Sequence, residues 1–345
     1  MSQFTEFRNI PTYSYNSETK LWEDKQLDKS EECHCTMSSN ELKCATFNVL
    51  FDIYQNNIVQ SEIRYVVQLR MLEKLQLDVL SLNEMTPQYL IKLMNEEWVQ
   101  NNYYLSETET GEKKETGHST IVPYGNLLLI SKHKFNQVQF YKYKFSYPSG
   151  FSRRTVLAIG QWNDRKICFG SVHLKAKKEC FEVRKKQCME LHALANHLTS
   201  SNTCDELIYL GDWNLNMPFE THFISHHKEF TDLWLRQYGT EGDKGYTMDS
   251  TVNPMITKMN PNDDHKQLRL DRVVQWKATE SQLECHSIRL FATNSIKKLL
   301  KNKLIFSQDE AVAHSAAKDY LYCSDHFGIY LTLQGNCREI DASEN

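Results

Sequence analysis

Leu207-Ile208-Tyr209-Leu210-Gly211-Asp212-Trp213-Asn214-Leu215-Asn216 is the stretch on which the fold turns. It opens on an apolar run with a β-branched and an aromatic side chain, the composition of a buried strand. The run stops at Gly211, and a carboxylate and a carboxamide follow two positions apart. Positions i and i+2 of an extended segment share a side, so Asp212 and Asn214 face one point at the mouth of a sheet. An acid that can take a proton, beside an amide that can hold a water or an oxyanion, is hydrolytic equipment. The plain alternative is a strand entering an Asp/Asn turn, since both residues favour turns by themselves. This stretch alone does not separate the two; the strand ends elsewhere do.

The chain has 345 residues, 40% hydrophobic and 24% charged, an ordinary globular composition. No apolar run approaches the ~20 residues of a membrane helix, and Met1 to Ile10 lacks a basic cluster followed by an apolar core, so neither a span nor a secretory signal is expected. Of ten cysteines, Cys44, Cys168, Cys204 and Cys285 fall in or beside strand-like runs. That pattern suits buried free thiols in a reducing, intracellular compartment, nucleus or cytoplasm. A net charge of −4 argues against a general nucleic-acid coat protein, which needs many phosphate contacts. It leaves room for local basic patches: Lys175, Lys177 and Lys178; Arg184, Lys185 and Lys186; Lys297, Lys298, Lys301 and Lys303. For each the plain alternative is a solvated helix face.

Residues 1–41 are polar without a sustained period and read as a flexible arm. Cys33-His34-Cys35 within it lacks the spacing and partner pair of a zinc site. Leu42 to Asn48 is the first strand. Ile63, Val67, Met71 and Leu75 recur every four residues, predicting an amphipathic helix with Arg64 and Arg70 off its apolar stripe. Asp78 to Glu84 is a second strand, and Thr86-Pro87 caps a helix through Leu90, Leu93 and Met94. Residues 105–120 form a polar loop in which mobility is expected. Strands follow at Asn126–Ser131, Thr155–Trp162 and Lys166–His173, the last two joined by a hairpin turn. Glu179 to Thr199 is a long helix, and a short one follows Pro218. After a loop at 239–265 come strands Arg269–Trp276, Cys285–Phe291 and Phe327–Leu333, with a helix near Asn294–Leu304. Strands and helices alternate without a repeat or linker, which predicts two mixed sheets packed face to face with helices outside. One domain, 42–334, is expected, with 335–345 as a tail.

Asn48, Glu84, His173, Asp212 with Asn214, and Asp325-His326 all sit at strand ends or in adjoining turns, and Asp271 lies in a strand. Any one of them alone is unremarkable, since buried polar groups are commonly satisfied core. Together they are the residue types one hydrolysis needs. The ordered set Thr46-Phe47-Asn48, Asn83-Glu84, Ser171-Val172-His173-Leu174, Gly211-Asp212-Trp213-Asn214, Leu270-Asp271-Arg272 and Ser324-Asp325-His326 resembles the endonuclease/exonuclease/phosphatase superfamily over residues 42–334. Within it, Asp78-Val79-Leu80-Ser81-Leu82-Asn83-Glu84 followed by Thr86-Pro87, Thr231-Asp232-Leu233-Trp234, Tyr246-Thr247-Met248-Asp249 and Leu268-Arg269-Leu270-Asp271-Arg272 are most similar to the 5′-tyrosyl-DNA phosphodiesterases.

The resemblance implies a four-layer α/β sandwich, DNase I-like, with its site at one mouth. It implies Glu84 holding Mg²⁺ (Mn²⁺ as the substitute), Asp325 approaching the same ion, and Asp212 activating a water that Asn214 positions. His326 oriented by Asp271, and His173, would donate to the phosphoryl oxygens, with Asn48 linking phosphate and Glu84. Lys178, Tyr246 and Leu268 would lie on the substrate side. The implied substrate is a nucleic acid with a single-stranded 5′ end, including protein-linked ends; no obligate protein partner is implied. Three departures stand out: Asn83 where the family has Gln, Asn216 where it has Arg, and Lys175, Ala176 and Lys178 where it has Glu, Ser and Arg. An inositol phosphatase reading fails on Leu215-Asn216 and Arg269-Leu270. A deadenylase-like or 2′,5′-oligonucleotide phosphodiesterase finds some support in Asn48-Val49-Leu50. A catalytically dead binding module is disfavoured because no metal or base residue is missing.

Overall fold

The computed structural model describes residues 7–25, 40–51, 55–109, 121, 123–146, 154–239, 245–276, 283–301 and 308–335. Two mixed sheets stack face to face. The first has seven strands in the spatial order Phe7–Ile10, Asn136–Lys144, Arg154–Trp162, Arg165–His173, Glu206–Asp212, Asp271–Trp276 and Phe230–Asp232. The second has eight: Leu283–Phe291, Gly328–Gly335, Glu41–Asn48, Val79–Met85, Gly125–Ser131, Tyr103–Leu105, Tyr13–Asn16 and Leu21–Asp24. Each sheet has one parallel pair near its centre, Arg165–His173 with Glu206–Asp212 and Glu41–Asn48 with Val79–Met85. A parallel pair needs a crossover, and helices Phe181–Ser200 and Ser61–Leu75 supply them.

Three apolar clusters fill the spaces between the layers. The central one draws Cys44, Val79, Leu128 and Ile329 from one sheet and Phe140, Phe169, Ile208 and Leu210 from the other. A second lies under the helices outside the eight-stranded sheet, through Leu69, Leu72, Leu80 and Leu90. The third joins Cys188, Leu191 and Leu198 of the long helix to Leu207 and Tyr209. The result is the four-layer α/β sandwich of the DNase I-like fold.

Sequence and structure part in three places. Residues 7–24 carry three strands that lie at the outer edges of both sheets, where an arm was expected. Tyr13 pairs with Leu105, and Phe7 stacks on Tyr141 at 4.7 Å. Edge strands keep a solvated side, so they carry no long apolar run to betray them. Strand Asn136–Lys144 is additional, as is helix Gln308–Ala316. Arg64 is buried rather than off the stripe, because the helix turns Ser61, Arg64, Tyr65, Gln68 and Leu72 inward. Residues 110–120 of the polar loop, Cys33-His34-Cys35, and the tail beyond 335 lie outside the described residues. No helix among the described residues is long and apolar enough to cross a membrane.

Candidate active site

The parallel pairs bring their carboxyl ends to one mouth between the sheets. Register places His173 opposite Asp212, and Asp212 opposite Asp271. Gly211 makes that close approach possible: its φ is +146°, and a Cβ there would lie 1.9 Å from the Val172 carbonyl oxygen. On the facing sheet, Asn48 pairs with Asn83 in register. Beyond Leu82 the pairing with the Gly125–Ser131 strand slips before resuming at Met85. Glu84 sits in that irregularity at φ +61°, and such a bulge re-aims a side chain at the cost of local strain. Leu50 and Asn214 are likewise left-handed, at +62° and +51°.

Asp212 is the hub. Its Oδ2 accepts from Asn48 Nδ2 at 3.2 Å and Asn214 Nδ2 at 3.1 Å, and its Oδ1 accepts from the Asn214 backbone at 2.9 Å. His173 Nε2 lies 3.5 Å from Asp212 Oδ2 and 3.9 Å from Glu84 Oε1. Asn214 Nδ2 also donates to the Leu174 carbonyl at 3.1 Å, tying the two strand ends together. His326 Nδ1 is 2.7 Å from Asp271 Oδ2, both buried. Burial works against charge on that imidazole, but Asp271, Asp325 and Asp212 outweigh it and hold its pKa well above the ordinary histidine range. Glu84 is pushed up to about 7, first by burial and then by the Asp325 carboxylate. Its Oε2 accepts from the Phe51 backbone at 3.1 Å.

Asn48, Glu84, His173, Asp212, Asn214, Asp271 and His326 are thus brought together. Among the described residues, ligand atoms of Glu84, His173 and Asp212 lie within 4.8 Å of one another, as do those of Asp212, Asp271 and His326. Asp325 belongs to neither group; its Oδ1 accepts from Ser324 Oγ at 3.2 Å, and it acts on Glu84 through its charge. Lys178 is exposed in the short turn Lys178–Cys180, and its backbone carbonyl, not its ammonium, accepts a bond from Arg184. Tyr246 and Leu268 are half-buried; Leu268 pairs with Met248 in the small ladder Met248–Asp249 with Gln267–Leu268, and Tyr246 lies two residues before Met248. Arg184 drops out of the expected basic patch, since it is buried and paired with Glu220 at 2.6 Å.

Several residues at the mouth were not anticipated. Asn83 Oδ1 accepts from the Asp212 backbone at 3.1 Å, and its Nδ2 donates to Asn126 at 3.0 Å and Ser171 at 3.3 Å. Ser81 Oγ donates to Ser171 Oγ at 2.7 Å, so a polar seam stitches the sheets behind the candidate site. Their signal was present, as polar residues inside otherwise apolar strands. Ser324 Oγ bonds the Asn48 carbonyl at 2.7 Å. Thr247 Oγ1 accepts from the backbones of Leu270 and Asp271 at 3.1 and 3.0 Å. Phe51 and Tyr124 stack at 4.5 Å with planes 4° apart, and the Tyr124 ring lies 6.4 Å from His173. Nothing in the sequence marks that pair.

No protein-family model matches this chain, and neither does any curated protein. Solved structures do resemble it. Truncated TDP2 from Caenorhabditis elegans superposes with TM-score 0.60 at 17% identity, over 86% of this chain and 98% of that one. TDP2 from D. rerio, complexed with a single-strand DNA product, gives 0.58 at 18%, over 85% and 99%. The human Nocturnin catalytic domain with bound sulfate gives 0.58 at 16%, over 87% and 96%. The fold is that of the endonuclease/exonuclease/phosphatase superfamily.

Proposed function

We propose that this protein is a divalent-metal-dependent phosphodiesterase acting at nucleic-acid 5′ ends, with 5′-phosphotyrosyl linkages as its substrate in a DNA-repair role. The observation that carries the reading is the convergence of Asn48, Glu84, His173, Asp212, Asn214 and the Asp271–His326 pair on one mouth. Asp212 orients and deprotonates the attacking water, and the Asn214 amide fixes its position. His326, held charged by Asp271, and His173 donate to the non-bridging oxygens as negative charge grows. Asn48 links the phosphate to Glu84, and its amide also donates to Asp212. Lys178 offers the strand a point charge in place of a bidentate fork.

The donor set suits a hard cation. Glu84 is a largely buried carboxyl raised by burial and by the neighbouring Asp325, which the His326 charge only partly offsets, and carboxylate oxygen is what Mg²⁺ takes. Glu84 would hold the ion with Asp325 close by; when bound, it supplies Lewis acidity to the phosphoryl group. The preference for a tyrosyl linkage rests on two further points. A phenolate leaves with a conjugate-acid pKa near ~10 and needs little protonation, and the stacked Phe51–Tyr124 pair offers a flat aromatic surface beside the site. Buried free thiols at Cys44, Cys168, Cys188, Cys204 and Cys323 agree with work in a reducing compartment, nucleus or cytoplasm.

The test is side-by-side hydrolysis, with Mg²⁺, of oligonucleotides bearing a 5′-tyrosyl group, a 5′-phosphate, or only internal linkages. The tyrosyl end should be cleaved fastest. Faster cleavage of an internal linkage in plain RNA or DNA would replace this reading with the deadenylase-like one.

A further inference from the structure

The segments that leave His173 and Asn214 turn outward and present aromatic rings side by side. Phe181 opens the long helix seven residues after Leu174, and Phe219 lies in the turn Pro218–Thr221 just beyond Asn216. Phe181 and Phe219 meet edge to face at 5.7 Å and 85°; Phe219 and Phe223 do the same at 6.3 Å and 77°. Although Phe219 makes both contacts, it remains 45% exposed. Phe181 and Phe223 are half-buried, Phe223 against the third apolar cluster, so they hold the exposed Phe219 ring up to solvent, where an unpartnered phenyl is costly.

The row is held rigidly to the site. Arg184 Nε donates to Glu220 Oε1 at 2.6 Å, both side chains fully buried, which bolts the turn carrying Phe219 to the helix carrying Phe181. The same guanidinium donates to the carbonyls of Lys175 and Lys177 at 2.9 and 2.6 Å. Lys177 and Lys178 are exposed beside Phe181, and Lys185 lies one helical turn further on. The exposed acids here, Glu179 and Glu182, are fewer than the exposed lysines, Lys177, Lys178, Lys185 and Lys186.

We propose that Phe181, Phe219 and Phe223 form a stacking platform for a single-stranded nucleic acid leaving the catalytic mouth, its phosphates taken by Lys177, Lys178 and Lys185. Alternating aromatic faces and cations are how strands are gripped without regard to sequence. The proposal rests on the phosphodiesterase reading for the direction of the strand, but binding and cleavage are measured separately.

The experiment is fluorescence polarisation of a labelled ~12-nucleotide oligothymidylate, within the span such surfaces cover, on the cleavage-blocked Asp212→Asn protein. Adding Phe219→Ala should raise Kd about tenfold and leave the slope of log Kd against log salt unchanged. Adding Lys177→Ala should instead flatten that slope by about 0.7. In the otherwise wild-type protein, Phe219→Ala should leave turnover of the strandless ester thymidine 5′-(p-nitrophenyl phosphate) within about twofold. Phe223→Ala, at the far end of the row, should follow the same pattern more weakly. An unchanged Kd in Phe219→Ala overturns the platform, as does equal loss on the strandless ester. A change from dimer to monomer on Phe219→Ala would also overturn it, making the row a contact between copies. A wild-type protein that binds the strand through this row yet cleaves no ester overturns the catalytic reading alone.

Discussion

Asp271 and His326 are joined by one 2.7 Å hydrogen bond, and the second carboxylate oxygen of Asp271 is buried without a hydrogen-bond partner. A carboxylate placed that way has one task, to orient and charge the imidazole. Groups that act as a unit lose function non-additively. His326→Ala should therefore slow hydrolysis by about 10²–10⁴, and Asp271→Asn/His326→Ala should be no slower than His326→Ala alone. Fully additive losses in kcat would show that Asp271 has a second role, through Arg272 or its strand. Most of this site could be read from residue type and order, because six stretches that are each unremarkable alone occur together in one order. What could not be read was aim. Glu84 faces the mouth because its strand bulges there at φ +61°, and a one-residue irregularity leaves no mark on apolar periodicity. Phe51 and Tyr124 are 73 positions apart in sequence and stack where Glu84 also accepts from the Phe51 N–H.

Helix Ser61–Leu75 shows why elements were easier to place than faces. Its existence follows from its apolar period, and Thr86 as cap of the next helix is confirmed by the bond it accepts from Tyr89. Its buried face could not be assigned, since Arg64 and Gln68 on an inward face contradict ordinary patterning. Both go inward because carbonyls wait for them. Arg64 donates to Val59, Val49, Cys323 and Leu50 at 2.7, 2.8, 3.0 and 3.1 Å, and Gln68 donates to Val49 and Cys323. Apart from Val59, those carbonyls belong to the segments just after Asn48 and just before Ser324-Asp325-His326, so the helix fixes two sides of the site. Arg64→Met should cost more than ~3 kcal/mol by stranding several buried acceptors. Gln68→Met should cost about 1–3 kcal/mol, because Arg64 still serves both of its carbonyls. Urea unfolding with an unchanged m-value would check both; a loss under ~1 kcal/mol for Arg64→Met would mean that water replaces the guanidinium.

At the scale of the whole molecule, stability is tied to two buried charge clusters of opposite kind. In the first, Asp232 accepts from Arg269 and Arg272 at 2.9 Å each and joins the strand Phe230–Asp232 to Asp271–Trp276. Burial pushes the Asp232 carboxyl up, yet the two guanidinium groups prevail and its pKa is lowered. A carboxyl depressed by folding contributes stability that is complete above its unfolded value of ~3.9 and is lost as pH falls through the folded value. The Tm gap between wild type and Asp232→Asn should accordingly be wide at neutral pH and shrink below about pH 4; a constant gap would contradict this. In the second cluster, burial and the Asp325 carboxylate outweigh the nearby His326 charge and raise the Glu84 pKa to about 7. A divalent ion held there would bind the native protein and not the unfolded chain, so it should stabilise the whole fold by mass action. At ten times its Kd, Mg²⁺ should add about 1.4 kcal/mol, an increase of ~2–4 °C in Tm over an NaCl control of equal ionic strength. Glu84→Gln removes both the repulsion and the ligand. Its Tm without Mg²⁺ should equal or exceed that of wild type, while the response to Mg²⁺ disappears. That combination separates a metal ligand from a merely structural acid, which would lose stability in both conditions. An undiminished Mg²⁺ response in Glu84→Gln would move the ion elsewhere.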